Sequence, residues 1–225
     1  MIVLMSAFLL LSAFSCGGGN KANSTSEQSE ETAVNVPQFD ADSAYLYVKN
    51  QVDFGPRVPN TKEHVACGNY LAGQLEAFGA QVTNQYADLI AYDGTLLKAR
   101  NIIGSYKPES KKRIALFAHW DTRPWADNDP DEKNHNTPIL GANDGASGVG
   151  ALLEIARLVN QQQPELGIDI ILLDAEDYGA PQFYTGQHKE EFWCLGSQYW
   201  ARNPHVQGYN AVSYTHLRAH ETKAN

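Results

Sequence analysis

Positive charge is scarce in this sequence: 17 Lys and Arg stand against 26 Asp and Glu, for a formal charge of -9 over 225 residues. Nucleic acids and anionic membrane faces reward Lys and Arg, so neither is expected as a partner. A long hydrophobic run is missing too. The apolar opening, "MIVLMSAFLLLSAFSCGGGN", breaks at Cys16 and is too short to span a bilayer. The stretch "DGASGVG" lacks the glycine spacing of a phosphate-cradling loop and the Gly-x-Ser-x-Gly order of a serine hydrolase elbow. What remains is ample for a core, with 43% apolar and 10% aromatic residues, enough for one domain plus extensions.

The opening run carries no charged side chain before Cys16 and has the character of an export leader. A small residue followed by Cys and "GGGN" resembles a bacterial lipoprotein processing site, with residues 1–15 removed and Cys16 acylated. It departs from that pattern in lacking a basic residue at the start and in having the bulky Phe14; the alternative is an ordinary secretory leader cut near Ser15. Either reading takes the protein out of the cytoplasm, and the lipid reading anchors it in the periplasm or outer membrane of a Gram-negative bacterium. Residues 16–36 are small, polar and acidic, the composition of a disordered tether. Export permits a bridge between Cys67 and Cys194 and does not establish one.

The folded part is expected over 37–212. Helices are predicted from about Asp42 to Val52 and from a Thr61 N-cap onward, with Val65, Leu71, Leu75 and Phe78 at helical spacing and Gly79 as the stop. Strands follow at "QVTNQYADL", "RNIIGSY" and "RIALFAH". After a long polar loop come a helix, "GASGVGALLEIARLVNQ", and a buried strand, "IDIILLD". A strand, a crossover helix and a second strand imply a parallel pair. The fold class is therefore α/β, with a mixed, largely parallel central sheet flanked by helices. Ligands collect at the carboxyl ends of such strands, the edge that carries His119, Asp121, Asp174, Glu176 and Asp177.

The acids of "DAED" pose an electrostatic problem. Burying one carboxylate costs several kcal/mol unless it is paired or metal-bound. Two charges about 4 Å apart repel by about 4 kcal/mol more at a protein-like dielectric. His119 and Asp121 end one strand, Asp144 stands at the mouth of the crossover helix, and Asp174, Glu176 and Asp177 end the next strand. Imidazole and carboxylate donors gathered this way suit zinc, whose charge would offset the repulsion.

The segment from "AHWDTRPWADNDPD" through "LGANDGASG" and "DAEDYG" to "WCLGSQYWA" resembles the zinc-dependent exopeptidase superfamily, and within it the bacterial glutaminyl cyclases of the animal-like type, over 39–210. The resemblance implies a zinc-exopeptidase fold, incomplete here at its C-terminus, and one zinc held by Asp144, Asp177 and a later His absent from this chain. It also implies Glu176 as the proton shuttle, with His119, Asp121 and Trp193 lining the site. Many relatives have Glu where this chain has Asp177. The implied reaction is closure of an N-terminal Gln of a peptide or protein to pyroglutamate, with release of ammonia. A zinc aminopeptidase and an inactive lipid-tethered binding module are the alternatives. From "SYTHLRAHETKAN" onward the sequence fits neither an apolar strand nor the family's next segment, so 213–225 is expected to be foreign or disordered and the truncated chain inactive.

Overall fold

A computed structural model describes residues 35–216. The leader, the acylation site and nearly all of the expected tether lie outside the described residues, as do residues 217–225. Helix α1 (Ala41–Asp53) starts where the Asp40 carboxylate accepts from the amides of Asp42 and Ser43. Helix α2 (Lys62–Ala77) starts at Thr61, whose hydroxyl accepts from the His64 amide at 3.2 Å, and ends before Gly79 at φ 79°. Its buried stripe is His64, Cys67, Leu71 and Leu75. Val65, expected on that face, is 56% exposed, because at 3.6 residues per turn it sits about 120° round the helix from Leu71, off the buried stripe.

The strands are β1 (Gln81–Ile90), β2 (Leu96–Tyr106), β3 (Arg113–His119), β4 (Gly167–Leu173) and β5 (Ser213–His216), in the order β1-β2-β4-β3-β5. The sheet is mixed: β1 and β4 flank β2 antiparallel, whereas β4 and β5 flank β3 parallel. Helix α3 (Ala146–Gln161) makes the crossover between β3 and β4. β4 is buried at every position, which is why its sequence is a continuous apolar run with one interruption, Asp169. That carboxylate is held by Arg113, Ser105 and Tyr209 at 2.6–2.7 Å. One face of the sheet packs Ile102, Ile170 and Leu172 against Leu71, Leu152 and Leu153 from the helices. The other packs Ile103, Ile171 and Leu173 against Trp200 of α4 (Leu195–Arg202).

A Cβ on Gly150 would stand 2.7 Å from Val48 and 2.9 Å from the Ala44 carbonyl, so this glycine of α3 admits α1. Ser213–His216 is an ordered edge strand on β3, exposed at all four positions, where no strand was expected. Cys67 is a buried free thiol and so does not bridge to Cys194, and burial pushes it up to about 12.

Candidate metal centre

Register brings the acids together. In the parallel β3–β4 ladder His119 stands opposite Leu173, so both strands run out at the same level. The ladder's last bond, Trp120 N–H to the Leu173 carbonyl at 3.0 Å, hands the chain over to Asp121 on one side and Asp174 on the other.

Asp174 turns inward. It is fully buried, and its carboxylate accepts from the Arg100 amide (2.6 Å) and the Ala175 amide (2.8 Å) while facing His64 Nε2 (2.8 Å). Burial raises its pKa, with His64 opposing. Ala175 then adopts a left-handed φ of 52°, a costly conformation for a residue with a Cβ, and reverses the chain so that Glu176 and Asp177 face Asp121. Their amides donate to the two Asp121 oxygens at 3.0 and 3.1 Å. Asp121 thus acts as a clip between the two strand ends.

Gly145 brings in the third segment. At φ 90° it caps α3, and a Cβ there would lie 2.9 Å from the Asp121 carbonyl and 3.3 Å from the His119 ring. Its absence lets Asp144 approach His119, whose Nε2 is 2.9 Å from Asp144 Oδ1; His119 Nδ1 is 3.5 Å from Asp121 Oδ1. His119, Asp144 and Asp177 each offer a donor atom, and these atoms all lie within 4.8 Å of one another. Burial first, then the Asp121 charge, with Asp144 and Glu176 adding, pushes Asp177 up to about 8, against the pull of His119. Burial draws His119 down, but Asp121 and Asp144, with Glu176 behind them, more than reverse it and hold the imidazole well above its ordinary value. Asp177 Oδ2 and His119 Nδ1 are buried without a hydrogen-bond partner among the described residues. A group of one imidazole and two carboxylates with orphaned buried donor atoms fits a divalent cation, and its N/O composition suits zinc.

The structure therefore collects Asp144 and Asp177 in one group with His119, and places Asp121 against the backbone behind them. Glu176 is buried beside them, its carbonyl accepting from the Cys194 amide at 2.9 Å. Trp193 is half-buried over Gly179, where a Cβ would clash with its ring, and stacks on the Arg123 guanidinium at 4.8 Å. Sequence patterns did not single out Arg123, which pairs with Asp127 and donates to the Asp177 carbonyl at 3.1 Å. They also passed over Arg57, whose guanidinium donates to the carbonyls of Trp120, Leu140 and Gly141. Neither has a periodic or spacing signal; a charged side chain inside the "FGPRVPN" loop is the nearest thing to one.

Comparison with known proteins adds to this geometry. A glutaminyl cyclase of Bacteroides thetaiotaomicron, solved bound to N-acetylhistamine, is 91% identical, with a TM-score of 0.82, over 82% of this chain and 63% of its own. A leucine aminopeptidase precursor from the same organism is also 91% identical, with a TM-score of 0.82, over 82% and 64%. A Zn-dependent exopeptidase from Parabacteroides distasonis is 61% identical, with a TM-score of 0.80, over 82% and 63%. The chain thus spans a little under two thirds of these proteins, and no more than about a third of the curated relatives it matches. Residues 101–219 match peptidase family M28. That stretch contains β3, α3, β4 and every donor of the candidate centre, and on it the chain belongs to peptidase family M28.

Proposed function

We propose that the parent protein is a zinc-dependent glutaminyl-peptide cyclotransferase, which converts the N-terminal Gln of peptides or proteins to pyroglutamate and releases ammonia. The observation that carries the reading is the 91% identity to a glutaminyl cyclase, joined to a three-donor group at the strand ends. Asp144 and Asp177 would hold a single zinc, with His119 within reach of both. When bound, zinc supplies a Lewis acid that polarises the side-chain amide carbonyl of the substrate. The substrate's α-amine forms the new bond to that carbon, and the bond from carbon to the amide nitrogen breaks. Nucleophile and electrophile belong to one molecule, so much of the entropic barrier is met in advance. Glu176 takes the proton that the amine loses and returns it to the departing nitrogen, which leaves as ammonia. Asp121 fixes the Glu176 and Asp177 backbone so that the two side chains keep their separate tasks.

The 91% identity to a leucine aminopeptidase precursor supports a second reading, hydrolysis of the first peptide bond with Glu176 as base. The two separate in one experiment on the complete parent. Ammonia release from Gln-peptides with one zinc bound supports cyclisation; hydrolysis of an amino-acid anilide with two zinc ions bound overturns it. Replacing Glu176 with Gln should abolish turnover with zinc retained, and normal turnover would remove the shuttle. The chain spans 63% of the cyclase it resembles, and we expect the 225 residues alone to turn over no substrate. The sequence before residue 20 supports export and a lipid anchor at Cys16 as the only membrane contact. Labelled palmitate should be incorporated by the parent and lost on Cys16→Ala.

A further inference from the structure

We propose that His64, on α2 and outside every part of the reaction described above, is a positioning residue that sets the geometry of both strand ends carrying the candidate metal centre. The proposal rests on the zinc reading only for its functional consequence; the geometric part stands without a metal.

Three contacts carry it. His64 is buried, and its Nε2 faces both oxygens of Asp174 at 2.8 and 3.0 Å. The His64 ring also stacks on Trp120, with centroids 4.3 Å apart and planes 17° from parallel. Trp120 lies between His119 and Asp121, and its indole N–H donates to the Arg100 carbonyl at 3.1 Å. Asp174 receives the amide of the same Arg100 at 2.6 Å. One imidazole therefore touches the β3 end through a ring face and the β4 end through a ring nitrogen. Both strand ends also reach the backbone of Arg100 on β2.

What needs holding is the reversal at Ala175. Its φ of 52° is unfavourable for a side chain with a Cβ, and it persists because the neighbouring contacts over-determine it. Asp174 supplies two of those contacts, to its own following amide and to Arg100, and His64 orients the Asp174 carboxylate for both. If the carboxylate swings away, Ala175 can relax, and the amides of Glu176 and Asp177 leave Asp121. The donors of Asp177 and His119 would then no longer stand within 4.8 Å of one another. His64 thus acts through Asp174 and Trp120 and touches neither substrate nor metal.

The test uses the full 225-residue chain, metal-free, with residue-resolved amide exchange by NMR. His64→Phe keeps an aromatic ring against Trp120 and removes the nitrogen; His64→Gln places an amide donor near the position of Nε2. The expected result for His64→Phe is loss of protection at the Glu176 and Asp177 amides by at least roughly tenfold, beyond any change at the β4 amides, with His64→Gln restoring most of it. A purely structural role would lower protection at all these positions together, and that uniform result overturns the proposal. Should His64→Phe not fold, Asp174→Asn carries the same prediction, a selective loss at Glu176 and Asp177. Zinc titration of the complete parent protein separates the two levels. If the complete parent binds zinc, His64→Phe in it should weaken binding by at least about tenfold, as loss of an outer-shell partner does; unchanged affinity overturns the proposal. If the complete parent binds no zinc while the selective loss of protection is seen, the metal reading falls and the positioning role stands.

Discussion

Arg57→Met is the most exacting perturbation, because the structure sets two opposing effects against each other at one side chain. Arg57 is fully buried and has no hydrogen-bonded carboxylate among the described residues; its guanidinium donates to Trp120 O at 3.1 Å, Leu140 O at 2.7 Å and Gly141 O at 2.8 Å. Burial lowers its pKa, with Cys67 and then the Asp121 charge opposing. Methionine matches the aliphatic stem and removes a buried cation, a change that is sometimes neutral or favourable. It also strands an acceptor. The Leu140 carbonyl belongs to an exposed residue and can turn to water, and the Gly141 carbonyl keeps the Ala146 amide at 3.2 Å, but the buried Trp120 carbonyl is orphaned at a cost of about 1–3 kcal/mol. Setting relief of the cation against that orphan leaves a net loss of about 2 kcal/mol, which for a domain of this size lowers Tm by roughly 4–8 °C. Thermal unfolding followed by circular dichroism measures it. Arg57→Lys should fall between, since one ammonium cannot reproduce a fork aimed at three carbonyls. A Tm for Arg57→Met within about 2 °C of the parent chain would show that desolvation and hydrogen bonding cancel there, and that this guanidinium does not hold the 120–141 segment in place.

Other substitutions test separate parts of the same construction. Gly145→Ala places a Cβ 2.9 Å from the Asp121 carbonyl at a φ of 90°, so about 1–2 kcal/mol of stability and much of the zinc affinity should be lost, read by thermal unfolding and by competition with a chelator. Asp169 is raised by burial but lowered more by Arg113, Ser105 and Tyr209, for a net shift below 3.8. Its folded-state pKa is depressed, so its stabilisation is complete above the unfolded value and disappears as pH falls through the folded one. Asp169→Asn should therefore lower Tm at neutral pH and converge on the parent in unfolding scans only once the pH has fallen below the ordinary carboxylate range. Arg123→Met frees the Asp177 carbonyl and one face of Trp193; acrylamide quenching of tryptophan emission should rise, and Arg123→Lys should not restore it, because a point charge lacks the planar fork.

The fold was legible wherever one residue pattern had one structural consequence. "RIALFAH" is a strand over the predicted residues because a run apolar on both sides has nowhere to lie but inside a sheet, and the crossover helix then requires a parallel partner. Thr61 and Gly79 bound α2 through local chemistry, a hydroxyl cap and a left-handed φ. Val65 shows the limit of periodicity, since an apolar residue satisfies a helical pattern without belonging to the buried face. β5 was not legible at all: its pairing comes from the open edge of β3, and its own side chains are exposed. In the candidate centre, the convergence of His119, Asp144 and Asp177 followed from their places at two neighbouring strand ends and at the mouth of the crossover helix between them. The supports at Arg57, His64 and Arg123 did not, because each is defined by what it touches across 54 to 110 residues of chain, a separation that no local pattern encodes.

That separation also explains how so many acids share one small volume. Asp174 is answered by two backbone amides and an imidazole, and Asp121 by two backbone amides, so both carboxylates are engaged in fixing where the chain turns. Asp177 is the contrast: its Oδ2 is buried without a hydrogen-bond partner among the described residues, and it is pushed up to about 8 by burial and by the acids around it. Satisfied and unsatisfied carboxylates play different parts, and only the second kind gains from an arriving cation. Substitutions at Asp121 or Asp174 should therefore act by moving the donors. A scan that scores metal affinity alone would take them for ligands, whereas one that also reads protection of the Glu176 and Asp177 amides in the metal-free chain tells the two apart: removing a ligand leaves those amides protected, and removing a support exposes them.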